Sequence, residues 1–290
     1  MHGSPHRPSL GVAVGLVLLG VASVQLGAGF AKRLFADIEP DGVVWLRLAS
    51  SAVVLALWAR PRVRGRTAAD WLAVARFGAC LGVMNWAIYQ SFSRIPIGVA
   101  VTIEFIGPLL LAAVGFRRAR DLLWVGLAAI GVLLLGFERA HLDPAGVAFA
   151  LVAGAAWAGY ILSSAETGRR WAGIDGLAVA SVVAVVMLGP LLLTVDRDAL
   201  MDTRILLIGA AVGLLSSVIP YSAELTALRR LPAATFGVLM SLEPAAAALA
   251  GFAVVGEKLA PVQWAAIGCV VAASVGATRA TRRPIHSDVI

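Results

Sequence analysis

Three carboxylates stand within long apolar stretches of this 290-residue chain: Glu104, Glu224 and Glu243. In a water-poor site the charged form of a carboxylate is the costly one unless a partner compensates it. Such a group can therefore take up and release a proton, or hold a cation such as an ammonium. Glu104 precedes Pro108 by four residues, and Glu243 is followed directly by Pro244. Proline has no N–H, so Pro108 leaves the carbonyl of Glu104 without its helical donor. Pro244 does the same to the carbonyl of Met240, one turn before Glu243. Each proline thus puts an unsatisfied backbone acceptor beside a carboxylate. Other chemistries find no constellation. His2, His6, His141 and His286 fall in the tails or one loop, and no zinc spacing, phosphate loop or dinucleotide fingerprint occurs. No metal or cofactor is expected. Cys80 and Cys269 sit in apolar runs and read as small buried hydrophobes rather than a disulfide.

The surroundings of these residues follow from composition. Apolar residues make up 60% of the chain and charged residues 14%, against about 25% charged in a soluble domain. Too little polar surface remains to cover a water-exposed globule, so the chain reads as an integral membrane protein with the lipid bilayer as its solvent. The net charge of +7 does not point to nucleic acid, because the basic residues lie in short clusters between apolar runs rather than on one face.

About 20 apolar residues cross the hydrocarbon core as a helix. Cutting at charged and Pro/Gly-rich breaks predicts ten spans, near 10–31, 42–59, 71–92, 97–116, 122–137, 145–163, 174–195, 205–226, 234–255 and 261–278. The first is too long for a secretory signal core and runs into Lys32 and Arg33, so it reads as an uncleaved span. Alternate loops divide the cations unequally. Arg7, the Arg60, Arg62, Arg64 and Arg66 loop, Arg117, Arg118 and Arg120, Arg169 and Arg170, Arg229 and Arg230, and Arg279, Arg282 and Arg283 share one side. Lys32, Arg33, Arg94, Arg139, Arg197, Arg204 and Lys258 take the other. The richer side is cytoplasmic by the positive-inside bias, which puts both termini there.

The halves echo each other. With a shift of 136, Ala87, Arg94, Pro96 and Pro108 fall on Ala223, Arg230, Pro232 and Pro244. Five spans per half is odd, so equivalent helices run in opposite directions. The expected fold class is an all-α membrane protein of ten transmembrane helices in two inverted five-helix repeats, residues 1–143 and 144–290. Inverted repeats are characteristic of secondary transporters, which bind substrate near the midplane between the halves.

Depth separates the carboxylates. Glu104 and Glu243 lie near the middle of spans four and nine, where a charge costs at least about 2.5–3.5 kcal/mol and marks a functional candidate. Glu224, five residues before Arg229, reads as a member of an interfacial ion pair. A cavity between spans four and nine satisfies the broken backbone at Pro108 and Pro244, since such backbone is tolerated in a membrane only where it is buried in protein or lines a cavity. Asn85 and Tyr89 share a face of span three. Tyr221 is the repeat equivalent of Asn85, and Gln25, Trp157 and Tyr160 complete the candidate cavity wall. Tyr89 doubles as an interface anchor near its helix end. Arg47 and Arg76 are expected to snorkel to the interfaces rather than meet substrate. Gly11/Gly15, Gly78/Gly82 and Gly209/Gly213 have the spacing of close helix crossings.

The stretches VASVQLGAGFAKRLF (21–35), GVMNWAIYQSFSRIPIGVAVTIEFIGPL (82–109), GAAWAGYILSS (154–164) and IPYSAELTALRRLPAATFGVLMSLEPA (219–245) resemble the threonine/homoserine exporters. Those belong to the drug/metabolite transporter superfamily, built from two EamA-type repeats. The resemblance implies ten helices in two inverted halves around a central cavity, in a bacterial inner (plasma) membrane. It also implies export of small amino acids such as threonine and homoserine, coupled to protons by antiport. It supplies no catalogue of binding residues, and oligomeric state stays open. Export of other metabolites or drugs is the alternative within the superfamily. A membrane-embedded enzyme is the rival from another class, and it lacks an intramembrane Ser/His pair, a buried Asp pair or a metal motif.

Overall fold

The computed structural model describes residues 10–114, 122–136, 142–220, 223 and 239–280. Tyr221, Glu224, Arg229, Arg230 and Pro232 lie outside them. Each of the ten expected spans has a helical counterpart, and no strand occurs among the described residues. The helices are α1 (Leu10–Leu34), α2 (Pro40–Ala59), α3 (Ala68–Phe92), α4 (Ile97–Glu104), α5 (Ile106–Val114), α6 (Leu122–Gly136), α7 (Pro144–Arg170) and α8 (Asp175–Leu188). A 3-10 turn over Gly189–Thr194 follows α8. Then come α9 (Arg197–Met201), α10 (Thr203–Gly213), α11 (Glu243–Ala250) and α12 (Pro261–Ala280). Five segments, α1, α2, α3, α7 and Asp175–Thr194, are long and apolar enough to cross a bilayer alone.

Helix ends follow local chemistry. Thr67 and Asp70 form a capping box at the start of α3, each side chain accepting the other's backbone N–H. Pro40 and Pro144 begin α2 and α7, where a missing N–H costs nothing. Asp143, Asp196 and Asp202 cap α7, α9 and α10 through their carboxylates. The short α9 was not expected; it falls in the stretch 196–204 that reads as a loop. The sixth span runs seven residues past its expected end to Arg170, because Glu166 pairs with both Arg169 and Arg170 on its exposed last turn.

Spans four and nine are both broken. Phe105 interrupts the first between α4 and α5, and the second turns at Ser241 and Leu242 before α11 starts at Glu243. Neither break falls on its proline. Pro108 acts upstream, because its ring crowds the carbonyl four residues back, that of Glu104. Bonding resumes at once, with Phe105 N–H donating to Val101 O at 3.0 Å and Leu109 N–H to Phe105 O at 3.2 Å. Pro244 sits in the first turn of α11, a place proline favours.

The broken helices pack against each other and their neighbours through small residues. α4 and α11 meet where a Cβ on Gly98 would come within 2.7 Å of the Ala248 backbone. α4 meets α7 where a Cβ on Gly154 would lie 2.6 Å from Glu104 O. Gly78 and Gly82 sit against Ala180 and Met187 of α8 and its approach, and Gly209 and Gly213 against Leu46 and Ser50 of α2, as their spacing suggested. Gly11/Gly15 does not follow: nothing lies within 4 Å of a Cβ on Gly15, and both residues are exposed. Spacing shows that a close approach is possible, not that a partner helix occupies that face.

The two ends carry different polar clusters. At one end Arg66 donates to Arg170 O at 2.9 Å and lies 4.2 Å over the Trp171 ring, while Arg62 N–H donates to Asp175. At the other, Lys32 pairs with Glu257 at 2.7 Å and Arg94 reaches Asp143 at 4.0 Å. The grouping matches the division of loops by charge.

Candidate functional site

A cavity of about 190 Å³ lies among α1, α2, α3, α4, α7 and α11. That is below the roughly 300–1,000 Å³ of sites for drug-sized ligands, so the cavity suits a small metabolite. Its wall includes Gln25, Arg47, Asn85, Glu104, Trp157, Tyr160, Ser216 and Glu243, with Met84, Ile88, Phe92, Pro220 and Met240 as apolar lining.

Both candidate carboxylates reach it. Glu104 is the last residue before the break in span four and Glu243 the first after the break in span nine; both are buried. The breaks thus aim two helix ends, each carrying a glutamate, into one space. Among the described residues no hydrogen bond or ion pair is made by the Glu104 carboxylate. Phe105, the break residue, is held edge-on by Trp157 at 5.1 Å, so one aromatic wall of the cavity also supports the interruption. Tyr160 packs on Phe77 at 5.0 Å. Asn85 ties its amide N–H to Leu81 O at 2.8 Å. Gln25 is buried, and its Oε1 lacks a partner among the described residues. Pro108 and Pro244 stand behind the wall as shapers of the breaks. Tyr221 lies outside the described residues.

Two expectations are overturned. Tyr89 is fully buried rather than anchored at an interface, and it does not line the cavity. It packs between Phe35 at 6.0 Å and Phe92 at 5.7 Å, and the Arg47 guanidinium lies 5.3 Å from its ring centroid. Arg47 itself does not snorkel to an interface. It lines the cavity, drawn inward by this aromatic face and by a long 3.4 Å contact from Nη2 to Ser216 O. Its position within an apolar span was the available signal, the same signal that singled out Glu104. Arg76 is exposed on the outer face of α3, as a snorkelling cation would be.

Ser216 was not anticipated. It lies in a π-helical turn over Leu214–Val218 that continues α10, a device often found at functional sites. Ser23 donates to Leu215 O at 2.6 Å and Ser51 to Gly213 O at 3.2 Å, so α1 and α2 are stitched to this turn. The Ser216 Oγ is buried without a partner among the described residues. No periodicity marks such a turn in the sequence.

A model of the EamA-like transporter family matches residues 144–279. The threonine/homoserine exporter RhtA of Escherichia coli strain K12 is 39% identical over 286 residues, 98% of this chain and 97% of its own. RhtA of Salmonella typhimurium strain LT2 is 40% identical with the same coverage. The transporter YwfM of Bacillus subtilis strain 168 is 27% identical over 239 residues, 79% of this chain and 80% of its own. One solved crystal structure superposes on 93% of this chain and 99% of its own with a TM-score of 0.63 at 16% identity, a likeness of fold alone.

Proposed function

The chain belongs to the EamA-like transporter family, and we propose that it exports small amino acids of the threonine and homoserine type, by proton antiport with alternating access. The family is one of membrane-spanning transporters of small molecules, which sets aside the membrane-embedded enzyme. Its fold is the ten-helix one of the drug/metabolite transporters. The single observation that carries the substrate and coupling reading is the small cavity into which two broken helices present Glu104 and Glu243. A proton and a substrate ammonium compete for one carboxylate, so the site holds one or the other as it faces each side in turn. That competition makes the exchange obligatory.

Two further readings belong with it. The chain divides into repeats at 143/144, and the breaks support this: Phe105 and Ser241 are separated by the same 136 positions that align the repeated prolines. Both termini face the cytoplasm of a bacterial cell, with the protein in the plasma membrane and the Arg62, Arg66 and Arg170 cluster inside.

The test is uptake of labelled threonine and homoserine into inside-out vesicles under an imposed proton gradient. The expected result is uptake that rises with the gradient and collapses with an uncoupler. Absence of uptake by folded, inserted protein overturns the amino-acid assignment.

A further inference from the structure

The cavity contains a cation as well as carboxylates, and among the described residues no carboxylate is within direct bonding distance of that cation. Among the described residues Arg47 Nε is buried without an acceptor, and Nη2 makes a long contact to Ser216 O. Arg47 makes no ion pair with Glu104, although both line the same space. A guanidinium drawn into an apolar bundle with no carboxylate bonded to it is costly, and an ionisable residue inside a membrane ordinarily faces a partner or a functional pathway. Here the Tyr89 ring holds one side of it at 5.3 Å. The guanidinium fork matches a carboxylate through two parallel N–H donors, a fit that a lysine ammonium does not reproduce.

Two more buried polar atoms of residues lining this cavity lack partners among the described residues: Gln25 Oε1, an acceptor, and Ser216 Oγ, which both donates and accepts. Buried polar atoms are almost always satisfied. Orphans gathered around one cavity therefore describe what the cavity takes. The set is complementary to a zwitterion carrying one hydroxyl: a guanidinium for a carboxylate, a carboxylate for an ammonium, and an acceptor with a hydroxyl for a hydroxyl.

We infer that Arg47 is the anchor for the substrate carboxylate. It holds that group across the cavity from Glu104, which takes the α-ammonium, while Gln25 and Ser216 receive the side-chain hydroxyl. This rests on the amino-acid export reading and narrows it to hydroxyl-bearing α-amino acids with a free carboxylate. Amino alcohols, esters and lactones of the same skeleton are poor substrates, because they leave Arg47 unpaired.

The experiment measures competition against labelled L-threonine in counterflow by purified protein in liposomes, with unlabelled L-threonine and L-threoninol as competitors. In the parental protein threoninol, which replaces the carboxylate by a hydroxymethyl group, is expected to compete on the order of 100-fold less well. Arg47→Gln lowers threonine affinity by that factor and leaves threoninol within about threefold, so the discrimination disappears. Arg47→Lys keeps the charge without the fork and falls between. Equal competition by threonine and threoninol in the parental protein overturns the inference with no variant needed. So does an Arg47→Gln protein that still discriminates or that loses both ligands equally. Absence of any threonine counterflow in the parental protein instead overturns the export reading itself, and the inference with it.

Discussion

Lys32 and Glu257 tie three segments together at one end of the bundle, and removing the cation should open that end. Lys32 Nζ lies 2.7 Å from Glu257 Oε1 and donates to Ile95 O at 2.8 Å, while Glu257 Oε2 accepts from Ile97 N–H at 3.0 Å. The two side chains are 18% and 10% exposed. The pair therefore joins the end of α1, the turn between α3 and α4, and the segment after α11. Removing one partner of a buried ion pair costs roughly 3–5 kcal/mol. The residual exposure, and the Ile97 N–H that stays with Glu257, put Lys32→Met near the lower end, about 3 kcal/mol. At 1.36 kcal/mol per tenfold, that shifts the ratio of closed to open forms at this end by on the order of 100-fold. The readout is labelling of a cysteine placed at Met84 on the cavity wall, in a background with Cys80→Ala and Cys269→Ala. A membrane-impermeant maleimide is supplied from the Lys32 side. Lys32→Met is expected to accelerate labelling by up to that factor, and the swapped pair Lys32→Glu with Glu257→Lys to return part of it. An unchanged labelling rate in a folded Lys32→Met protein refutes the view that this pair holds the end shut.

Other consequences are equally specific. Glu104→Gln and Glu243→Gln, made separately, each abolish uptake driven by the proton gradient in inside-out vesicles; gradient-driven uptake retained by both variants removes the coupling role from these carboxylates. Gly154→Ala places a methyl group 2.6 Å from Glu104 O, where backbone rather than a flexible side chain must yield. Overpacking of this kind costs about 1–3 kcal/mol, seen as a lower melting temperature in detergent. Gly15→Ala meets open space and gains up to about 1 kcal/mol of helix propensity, so its melting temperature holds or rises. The reverse order would contradict the packing described for these two positions. Trp157→Ala removes the edge-on support of Phe105 and is expected to lower threonine affinity with little change in melting temperature.

The outline of the fold was legible because its causes are local. Apolar runs between clusters such as Arg60–Arg66 marked the helices, and α2, α3 and α7 start at Pro40, Ala68 and Pro144, within three residues of the expected 42, 71 and 145. Glu104 and Glu243 were legible because an ionisable residue deep in an apolar span has few structural uses. What escaped depends on direction. Depth in the sequence places Arg47 within a span but not on a face, and its long side chain can reach an interface or a cavity. Its turn inward toward Tyr89 and Ser216 is a property of three helices together. Tyr89 illustrates the converse, since a ring near a helix end anchors at an interface only if no neighbour covers it, and Phe35 and Phe92 do. The breaks fall upstream of their prolines because the proline's effect acts one turn back along the helix.

The most direct test of the central claim is the pH inside liposomes loaded with threonine and a trapped pH-sensitive dye, then diluted into threonine-free buffer. Threonine leaves down its gradient. If each exit requires a proton to enter through the Glu104 and Glu243 cavity, the lumen acidifies, and it does so in the parental protein but not in Glu104→Gln or Glu243→Gln. A lumen that stays neutral while threonine leaves, or one that turns alkaline, contradicts proton antiport through this site.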